Sequence, residues 1–391
     1  MATIPRSLRD AIFADALAHH KMALISGPRQ VGKSTMARSF LVSAQNEFTW
    51  DDERFRRAWA RNPLDALSTR GPGPVLLDEI HKDRNWKRKL KGVYDLRGSA
   101  VPIVVTGSGR LDLYRRGGDS LMGRFIPYRL HPFTVGEHQQ LPKPDELVHD
   151  QPPAFPWDDL LRLGGFPEPL LGGSEARARR WSRLRRERLV AEDVRDLRAV
   201  HDIEAMRVLV DLLPSRVGSL LSYQSLQEDV GVAYATVRDW VGVLANLYHC
   251  FLVRPWQKRL SRAIRAAPKL YLFDGLSIAA PGPRAENLAA LHLLKACQQW
   301  TDLALGDFEL HFLRTRDGAE VDFLVSRDGE PWMLVECKSG DGTPDRSLVS
   351  FAAKLGTRHN FQLVEKGGHD REWTEQRVRV LPYERFFSGL A

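Results

Sequence analysis

The segment MALISGPRQVGKST, residues 22–35, places a short apolar strand directly before a glycine-containing loop and the start of a helix. The loop from Gly27 to Ser34 has the spacing G-x-x-x-x-G-K-S/T, and strand and helix are the context this motif requires. Its glycines let backbone N–H groups wrap a phosphate, and the helix N-terminus adds partial positive charge. The segment therefore predicts a nucleotide-binding α/β fold rather than an incidental glycine-rich turn.

Nucleotide contacts are predicted along the whole loop and into the first helical turn. The predicted residues are Gly27, Pro28, Arg29, Gln30, Val31, Gly32, Lys33, Ser34 and Thr35. Lys33 is predicted to reach the β- and γ-phosphates and so to act in catalysis, and the Ser34 hydroxyl to ligate Mg²⁺. ATP and Mg²⁺ are therefore the expected cofactors.

A second apolar strand ends in two acids, Asp78 and Glu79. Ligands of open α/β sheets bind at the carboxyl ends of strands, so both acids are predicted to lie near the phosphates. We expect Asp78 to bind Mg²⁺, mainly through water, and Glu79 to polarise the attacking water. The alternative interpretation is a strand end capped by two solvated acids.

Short apolar segments at 47–50, 74–80 and 101–108 alternate with helical patterns, which favours a parallel α/β sheet. Ser108, at the tip of the last of these strands, is predicted to sense the γ-phosphate. Arg124 is predicted to stabilise charge on the nucleotide, with an ordinary surface arginine as the alternative.

Four motifs, GPRQVGKST, LLDEIHK, VVTGS and SLMGR, resemble those of the AAA-type P-loop ATPases of bacteria and archaea that carry a C-terminal domain of unknown function. The resemblance extends over nearly the whole chain, and GGFPEP begins its C-terminal part. It implies an ATPase core, a winged-helix-like middle and a restriction-endonuclease-like α/β end. The biological role of that family is mostly unassigned, so the resemblance does not by itself define a function.

Composition sets broad limits on this 391-residue chain. Its length suggests two or three domains, and 43% hydrophobic residues are enough for ordinary buried cores. Lysine and arginine total 57 against 49 acidic residues, a net charge of +8. That modest excess is compatible with nucleic acid as a partner but does not identify one.

The cysteines Cys250, Cys297 and Cys337 are far apart and odd in number. They form neither a disulfide framework nor a zinc-binding spacing, which favours a reducing compartment. The N-terminal residues lack the apolar core of a signal sequence, and no stretch has the uninterrupted apolar length of a membrane span. We therefore expect a cytoplasmic protein with no membrane partner.

Five prolines between residues 141 and 157 mark a boundary, because proline resists both helices and sheet ladders. We predict a P-loop AAA-type ATPase domain at 1–140, a linker with a helical and winged-helix-like region at 141–260, and a restriction-endonuclease-like domain at 261–391.

Two segments of the middle region are candidates for binding nucleic acid. Ser225 to Glu228 has a capping-box pattern that predicts a short helix, which Gly231 ends before a second helix. If that helix enters a DNA groove, the reading residues are Tyr234, Thr236 and Arg238. The alternative is a helical spacer. The seven arginines at 177–188 suit phosphates better, with a solvated helix face as the alternative.

Near the C-terminus, Glu320–Val325 and Trp332–Lys338 read as two strands joined by a tight Asp328-Gly329 turn. Side chains alternate across a strand, so Glu320 and Asp322 share one face. Glu336 and Lys338 share a face for the same reason. Antiparallel pairing would then bring Asp322 close to Glu336.

Converging carboxylates favour a hard divalent cation, and a neighbouring Lys338 suits a catalytic role in phosphodiester cleavage. The pattern resembles the D-x(n)-E-x-K motif of the restriction-endonuclease-like fold, which implies Glu286 as a further acid on the preceding helix. Glu286, Asp322 and Glu336 are thus predicted metal ligands, with Glu320 as the doubtful member. The alternative is a set of cross-strand salt bridges.

Two hypotheses follow for the whole chain. In the first, it is a Mg²⁺-dependent ATPase coupled to a nuclease-like domain that acts on or binds nucleic acid. In the second, it is a nucleotide-gated binding module whose inactive nuclease-like scaffold engages DNA or a protein partner. A homo-oligomer is compatible with both.

Overall fold

The computed structural model describes residues 4–97, 101–108, 121, 123–137, 141–147, 151–194, 200, 202–257, 266–340, 342–365 and 370–390. The chain forms two compact units. The first contains Met1–Pro132, His138–Leu141 and Asn246–Tyr248, and the second Phe133–Glu137, Pro142–Ala245 and His249–Ala391. The second unit thus includes most of both the predicted middle region and the predicted C-terminal domain.

The first unit is an α/β structure. Its strands are β1 (Met22–Ser26), β2 (Glu47–Thr49), β3 (Val75–Asp78), β4 (Ile103–Thr106) and β5 (Phe125–Arg129). Its helices are α1 (Ser7–Ile12), α2 (Lys33–Arg38), α3 (Glu53–Arg61), α4 (Pro63–Ala66) and α5 (Trp86–Arg97). A π-helical segment, Phe13–Leu17, extends α1.

The five strands are arranged in the order β2-β3-β4-β1-β5, and every pair is parallel. The parallel α/β sheet predicted from the sequence is therefore confirmed. Strands β1 and β4 are buried along their whole length, as expected for a sheet covered on both faces. Because the strands run in one direction, the segments that follow β1, β3 and β4 meet at one edge of the sheet.

The second unit contains the other strands and helices of the described residues. Its strands are β6 (Cys250–Pro255), β7 (Lys269–Leu272), β8 (Phe308–Arg314), β9 (Glu320–Arg327), β10 (Glu330–Lys338), β11 (His359–Val364), β12 (Arg371–Trp373) and β13 (Val378–Pro382). Its helices are α6 (Trp157–Leu163), α7 (Pro167–Gly172), α8 (Glu175–Arg188), α9 (Ile203–Leu212), α10 (Tyr223–Val230), α11 (Tyr234–Asn246), α12 (Pro281–Asp302), α13 (Arg346–Leu355) and α14 (Tyr383–Ser388).

These strands form one mixed sheet in the order β12-β13-β11-β10-β9-β8-β6-β7. Strands β8, β9 and β10 are antiparallel neighbours, and β11 pairs with β10 in parallel. Asp328 and Gly329 both have positive φ, 53° and 85°, which confirms the predicted two-residue turn between β9 and β10. Val335 pairs with Phe323, so Asp322 and Glu336 come next as opposing positions.

Helix α10 begins earlier than the sequence predicted. Its N-cap is Ser222, whose hydroxyl accepts a hydrogen bond from the Ser225 N–H at 3.2 Å. The predicted capping box from Ser225 is therefore wrong by about one turn, because the earlier serine caps the helix. Gly231 ends α10 in the left-handed conformation, as predicted.

Helix α12 carries polar groups that hold the segment Phe133–Glu137 within the second unit. Lys295 Nζ donates to Thr134 Oγ1 and Glu137 Oε2, both at 2.7 Å, and its side chain is fully buried. The Val135 N–H donates to His292 Nε2 at 3.0 Å. Among the described residues, no helix has the length and apolar character needed to cross a membrane.

Candidate functional site

The loop between β1 and α2 depends on its glycines. Gly27 has φ 147°, and a Cβ at this position would lie 2.3 Å from the Leu130 carbonyl oxygen. Gly32 has φ 98° and is the N-cap of α2. Both conformations disfavour residues with a side chain, so the predicted phosphate loop has the backbone form that the motif requires.

Lys33 begins α2 and is almost completely buried. Its Nζ donates to the Gly27 carbonyl at 3.1 Å and to the Pro28 carbonyl at 2.7 Å. These bonds hold the ammonium group against the loop, where a bound phosphate would meet it.

Other predicted loop residues differ in exposure. Pro28 and Val31 are buried and shape the loop, whereas Arg29, Gln30 and Thr35 are exposed. Arg6, which was not predicted as a site residue, is buried and donates to the Val31 carbonyl of the loop at 3.3 Å. A single arginine before the first helix carries no sequence signal that would have identified it.

Ser34 and Asp78 meet at the carboxyl edge of the sheet. The Ser34 hydroxyl donates to Asp78 Oδ1 at 3.0 Å, and the Thr106 hydroxyl donates to the same oxygen. An adjacent hydroxyl and carboxylate beside a phosphate loop are hard oxygen donors of the kind Mg²⁺ prefers, so these residues fit that ion. Thr106 was missed in the sequence, although it stands at the end of the VVTGS strand.

Glu79 follows Asp78 in a left-handed conformation, with φ 57°. Its N–H donates to the Thr106 carbonyl at 2.9 Å, which fixes the turn after β3. Burial raises the pKa of the Glu79 carboxyl, and the nearby Lys33 and Lys82 ammonium groups oppose that shift. Such a carboxylate has a proton affinity suited to polarising a water molecule.

Ser108 lies at the carboxyl ends of the parallel strands, and Arg124 lies at their amino ends. Ser108 is buried just beyond β4, next to the strand that carries the phosphate loop. Arg124 precedes β5, and its Nε donates to Asp95 Oδ1 at 2.7 Å. Because β5 is parallel to β1, Arg124 lies at the edge away from the loop and cannot touch a nucleotide bound there within the same chain. Contact of Arg124 with a nucleotide on its own chain is therefore excluded, and its charge-stabilising role stays a prediction.

A second group of charged residues lies in the second unit, around Lys269 at the start of β7. Its Nζ lies 2.6 Å from Glu320 Oε1, 3.5 Å from Glu286 Oε1 and 3.5 Å from Asp322 Oδ1. The Lys269 side chain is only 3% exposed. We call Glu286, Glu320, Asp322 and Glu336 the carboxylate cluster.

Asp322 and Glu336 face each other across β9 and β10. Glu336 Oε2 accepts the Asp322 N–H at 3.1 Å, and Asp322 Oδ2 accepts the Cys337 N–H at 3.0 Å. The two side chains therefore lie on the same face of the hairpin. Each uses one oxygen on the backbone of the opposite strand, so these oxygens are already engaged.

Lys338 lies at the rim of the carboxylate cluster. Its Nζ is 2.8 Å from Glu336 Oε1 and 3.0 Å from Asp345 Oδ2. These two carboxylates raise the pKa of Lys338 above its usual value despite partial burial. The side chain is therefore an ammonium at neutral pH and can clamp negative charge, whereas it is poorly suited to take a proton from water.

Burial and mutual repulsion perturb the acids of the cluster. Burial, reinforced by Asp322, raises the pKa of Glu286 and of Glu336 to about 7. Burial also raises the pKa of Asp322, while Lys269 opposes that rise. Glu286 and Glu336 therefore exchange protons near neutral pH, while Lys269 supplies positive charge to Glu286 and Asp322.

The predicted metal site at Glu286, Asp322 and Glu336 does not fit a divalent ion in this arrangement. Lys269 already supplies a cation to two of these acids and to Glu320. In the described part of the chain, no group of three or more His, Cys, Asp and Glu residues is arranged to hold a metal ion. The carboxylates converge, as the sequence predicted, but they converge on an ammonium group.

Three residues that complete this cluster, Lys269, Tyr271 and Gly218, were not predicted from the sequence. Tyr271 donates its hydroxyl to Glu286 Oε1 at 2.7 Å. Gly218, with φ 76°, leaves room for Glu286, since a Cβ there would lie 3.0 Å from Glu286 Oε2. A charged lysine opening the apolar strand KLYL was the one available signal for Lys269.

The predicted nucleic-acid surfaces are exposed. Tyr234, at the start of α11, is 48% exposed, and Arg238 Nη2 lies 3.7 Å from Asp239 Oδ1. The arginines of α8 are mostly exposed, except that Arg185 lies over the Phe166 ring at 4.5 Å. Only part of the arginine run is therefore available to a partner.

Comparison with protein families divides the chain into three matches. Residues 19–139 match a model described as an AAA domain. Residues 155–282 and 281–386 match two models described as domains of unknown function, DUF8612 and DUF4143. The first match is consistent with the five-stranded parallel sheet and supports an AAA-type P-loop domain within residues 19–139.

Individual proteins show more distant similarity. The uncharacterized proteins Mb2031c of Mycobacterium bovis and Rv2008c of Mycobacterium tuberculosis are each 25% identical over 356 residues, covering 87% of this chain and 75% of each relative. MJ1637 of Methanocaldococcus jannaschii is 25% identical over 314 residues, covering 71% of this chain and 63% of that protein.

Among solved structures, the Aeropyrum pernix Orc1 protein in complex with DNA matches with a TM-score of 0.32 and 15% identity. The match covers 74% of this chain and 93% of that chain. A similarity this low carries no argument about function.

Proposed function

We propose that this protein binds and hydrolyses ATP with Mg²⁺ at the loop between β1 and α2. The observation that carries the proposal is the 3.0 Å contact between Ser34 and Asp78, which joins the loop to the end of β3. Lys33, held on the same loop, and Glu79, next to Asp78, complete the residues that phosphoryl transfer to water requires.

Each residue has a distinct part in the proposed reaction. The loop N–H groups and the N-terminus of α2 bind the phosphates, and Lys33 exchanges its bonds to the Gly27 and Pro28 carbonyls for phosphate oxygens. Ser34 and Asp78 would hold Mg²⁺, which would neutralise phosphate charge when bound. Glu79 orients a water molecule toward the γ-phosphate and accepts a share of its proton.

Two variants test the ATPase proposal. Lys33→Ala removes the phosphate-binding ammonium group and is expected to abolish ATP binding in a calorimetric titration. Glu79→Gln preserves shape but not the carboxylate, so ATP should still bind while turnover falls by about 10²–10⁴-fold. Lys354→Gln, an exposed lysine of α13, is the control. Wild-type turnover by Glu79→Gln would refute the proposed role of Glu79.

We also propose that the second unit binds nucleic acid through a winged-helix-like region. Helix α9, two short bridges between residues 217–220 and β7, the pair α10–α11 and the β6–β7 ladder follow each other in the order typical of that fold. The exposed Tyr234 lies at the start of the second helix of the pair, where a groove-binding helix makes its base contacts.

We further propose that α12, β8–β10, α13 and β11 form a restriction-endonuclease-like core that acts as a binding scaffold. The antiparallel β8-β9-β10 set followed by a helix and a parallel strand supports this topology. Lys269 at the centre of the carboxylate cluster favours a scaffold over a cleaving enzyme, because metal-dependent cleavage needs the position it holds. A cytoplasmic location and homo-oligomer formation remain predictions.

A further inference from the structure

Lys269 is not among the residues proposed above for ATP hydrolysis. It opens β7, its Nζ contacts Glu286 from α12 and both Glu320 and Asp322 from β9, and its side chain is 3% exposed. A fully ionised lysine is rarely buried to this extent, because desolvation costs several kcal/mol unless the charge is paired. Here three carboxylates from two elements supply that pairing.

The distribution of charge in the carboxylate cluster shows why a cation is needed beside Glu286 and Asp322. Four carboxylates converge, while Lys338 reaches Glu336 from the rim and Arg314 reaches Glu320 at 2.6 Å. Neither of these partners pairs with Glu286 or Asp322. Without Lys269, those two acids would lie in a buried site with no cation in ion-pair contact, and at least one would have to be protonated or bind an ion.

The geometry points to Lys269 as an internal cation that takes the place of a divalent metal ion. We infer that the carboxylate cluster binds no divalent ion while Lys269 is present and that removal of the Lys269 charge creates a metal site formed by Glu286, Glu320 and Asp322. Because the ammonium group of Lys269 is covalently part of the chain, it has a high effective concentration beside the carboxylates. A dissolved ion must therefore displace it to bind.

The proposed ion binding rests on the scaffold proposal. Its test measures ion binding and neither cleavage nor ATP turnover, so ion binding and the proposed function can fail separately. The full-length protein, without nucleotide, is titrated with Mn²⁺, and free Mn²⁺ is measured by electron paramagnetic resonance. Lys269→Gln keeps length and polarity but removes the charge. It should bind one more Mn²⁺ ion than the wild-type protein, with affinity at least about tenfold above any wild-type binding at this cluster.

Three control variants localise the expected site. Lys269→Arg keeps the cation and should behave as the wild-type protein. Adding Asp322→Asn to Lys269→Gln should remove the new site, because a neutral amide replaces a carboxylate. Lys354→Gln removes a charge from an exposed lysine and should gain no site. Binding by the phosphate loop is common to all these proteins and cancels in the comparison.

The wild-type titration can overturn the inference without any Lys269 variant. Saturable Mn²⁺ binding by the wild-type protein that Asp322→Asn abolishes would show that the cluster holds a metal alongside Lys269. A folded Lys269→Gln protein with no additional site would also overturn the inference.

If Lys269→Gln unfolds in EDTA, recovery of its structure with Mn²⁺ supports the inference. If it stays unfolded, the wild-type titration decides, and the absence of Asp322-dependent binding supports it.

Discussion

At the residue scale, single atoms decide whether the phosphate loop can form. Gly27 lies directly against the Leu130 carbonyl, and its φ of 147° is accessible to glycine and strained for other residues. The motif spacing predicted this glycine, but the spacing does not reveal which backbone group it approaches. Leu130 is more than a hundred residues away along the chain and follows a different strand.

Gly27→Ala should therefore impair the loop itself. The added Cβ meets a backbone carbonyl that no side-chain rotation can relieve, so we expect a loss of unfolding free energy of about 1–3 kcal/mol and weaker ATP binding. Thermal denaturation and nucleotide titration check this. Gly92→Ala, on α5, has open space around the new Cβ and serves as the control. Equal behaviour of the two variants would contradict the prediction.

Residues also show where sequence patterns mislead. Arg124 stands in a segment that resembles a functional motif, yet it pairs with Asp95 at the wrong edge of the sheet. Lys269 stands in no motif, yet it pairs with three carboxylates. Charge pairing over long sequence distances is decided by tertiary packing, so neither position could be assigned from its neighbours in the sequence.

At the scale of elements, the arginines of α8 differ in how far they are available to a partner. Arg179 and Arg183 pair with Glu175 and Glu187 along the helix, and Arg185 is packed over Phe166. Within the described residues, Arg177, Arg180 and Arg188 are exposed and make no ion pair. A phosphate backbone would therefore meet these three arginines at the lowest cost, and Arg177 and Arg180 lie together in the first half of α8.

Charge reversal on α8 tests the proposed nucleic-acid surface. The double variant Arg177→Glu and Arg180→Glu should weaken DNA binding at least about tenfold and lower the slope of log affinity against log salt by about two. Fluorescence anisotropy at several salt concentrations measures both quantities.

The control for this experiment carries the same change in net charge elsewhere on the second unit. Lys354→Glu with Arg358→Glu alters two exposed residues that have no part in the proposed surface. If this control weakens binding as much as the α8 variant does, α8 is not the binding element. A sequence-specific, salt-insensitive complex would contradict the phosphate-binding proposal directly.

At the scale of the whole molecule, the chain passes between the two units more than once. Phe133–Glu137 belongs to the second unit although it directly follows residues of the first, and Asn246–Tyr248 belongs to the first. The proline-rich segment predicted a single boundary near residue 140. Proline content marks where regular structure stops, but it does not reveal which unit a short segment joins.

The buried Lys295–Glu137 pair ties one of these crossings into the second unit. Lys295→Met or Glu137→Gln alone removes one charge of a buried ion pair, and each should lower the unfolding free energy by about 3–5 kcal/mol. The double variant should lose less than the sum of the two. Urea denaturation followed by tryptophan fluorescence measures these changes.

An exposed ion pair provides the comparison for this prediction. Arg183→Met breaks a pair on α8 whose atoms are 3.8 Å apart and solvent-exposed, so its effect should stay within about 0.5 kcal/mol. If the two single variants at the buried pair cost as little as Arg183→Met, the pair contributes nothing to the second unit. Additive losses in the double variant would show that the two side chains act independently.

The sequence by itself determined the features that depend on local chemistry. Glycine spacing, apolar strands and acids at strand ends predicted the parallel sheet and phosphate loop, and an Asp-Gly pair predicted the turn between β9 and β10. The alternation of side chains also placed Asp322 and Glu336 on one face. These features follow from backbone sterics and from periodicity, which act over a few residues.

The tertiary structure alone decided which distant groups meet. It placed Thr106 on Asp78, moved Arg124 to the far edge of the sheet and put Lys269 where a metal ion was expected. The physical reason is that a buried charge is stabilised by whatever opposite charge the packed elements bring within a few ångströms. That proximity is a property of the assembled sheet and helices, and no short pattern in the sequence encodes it.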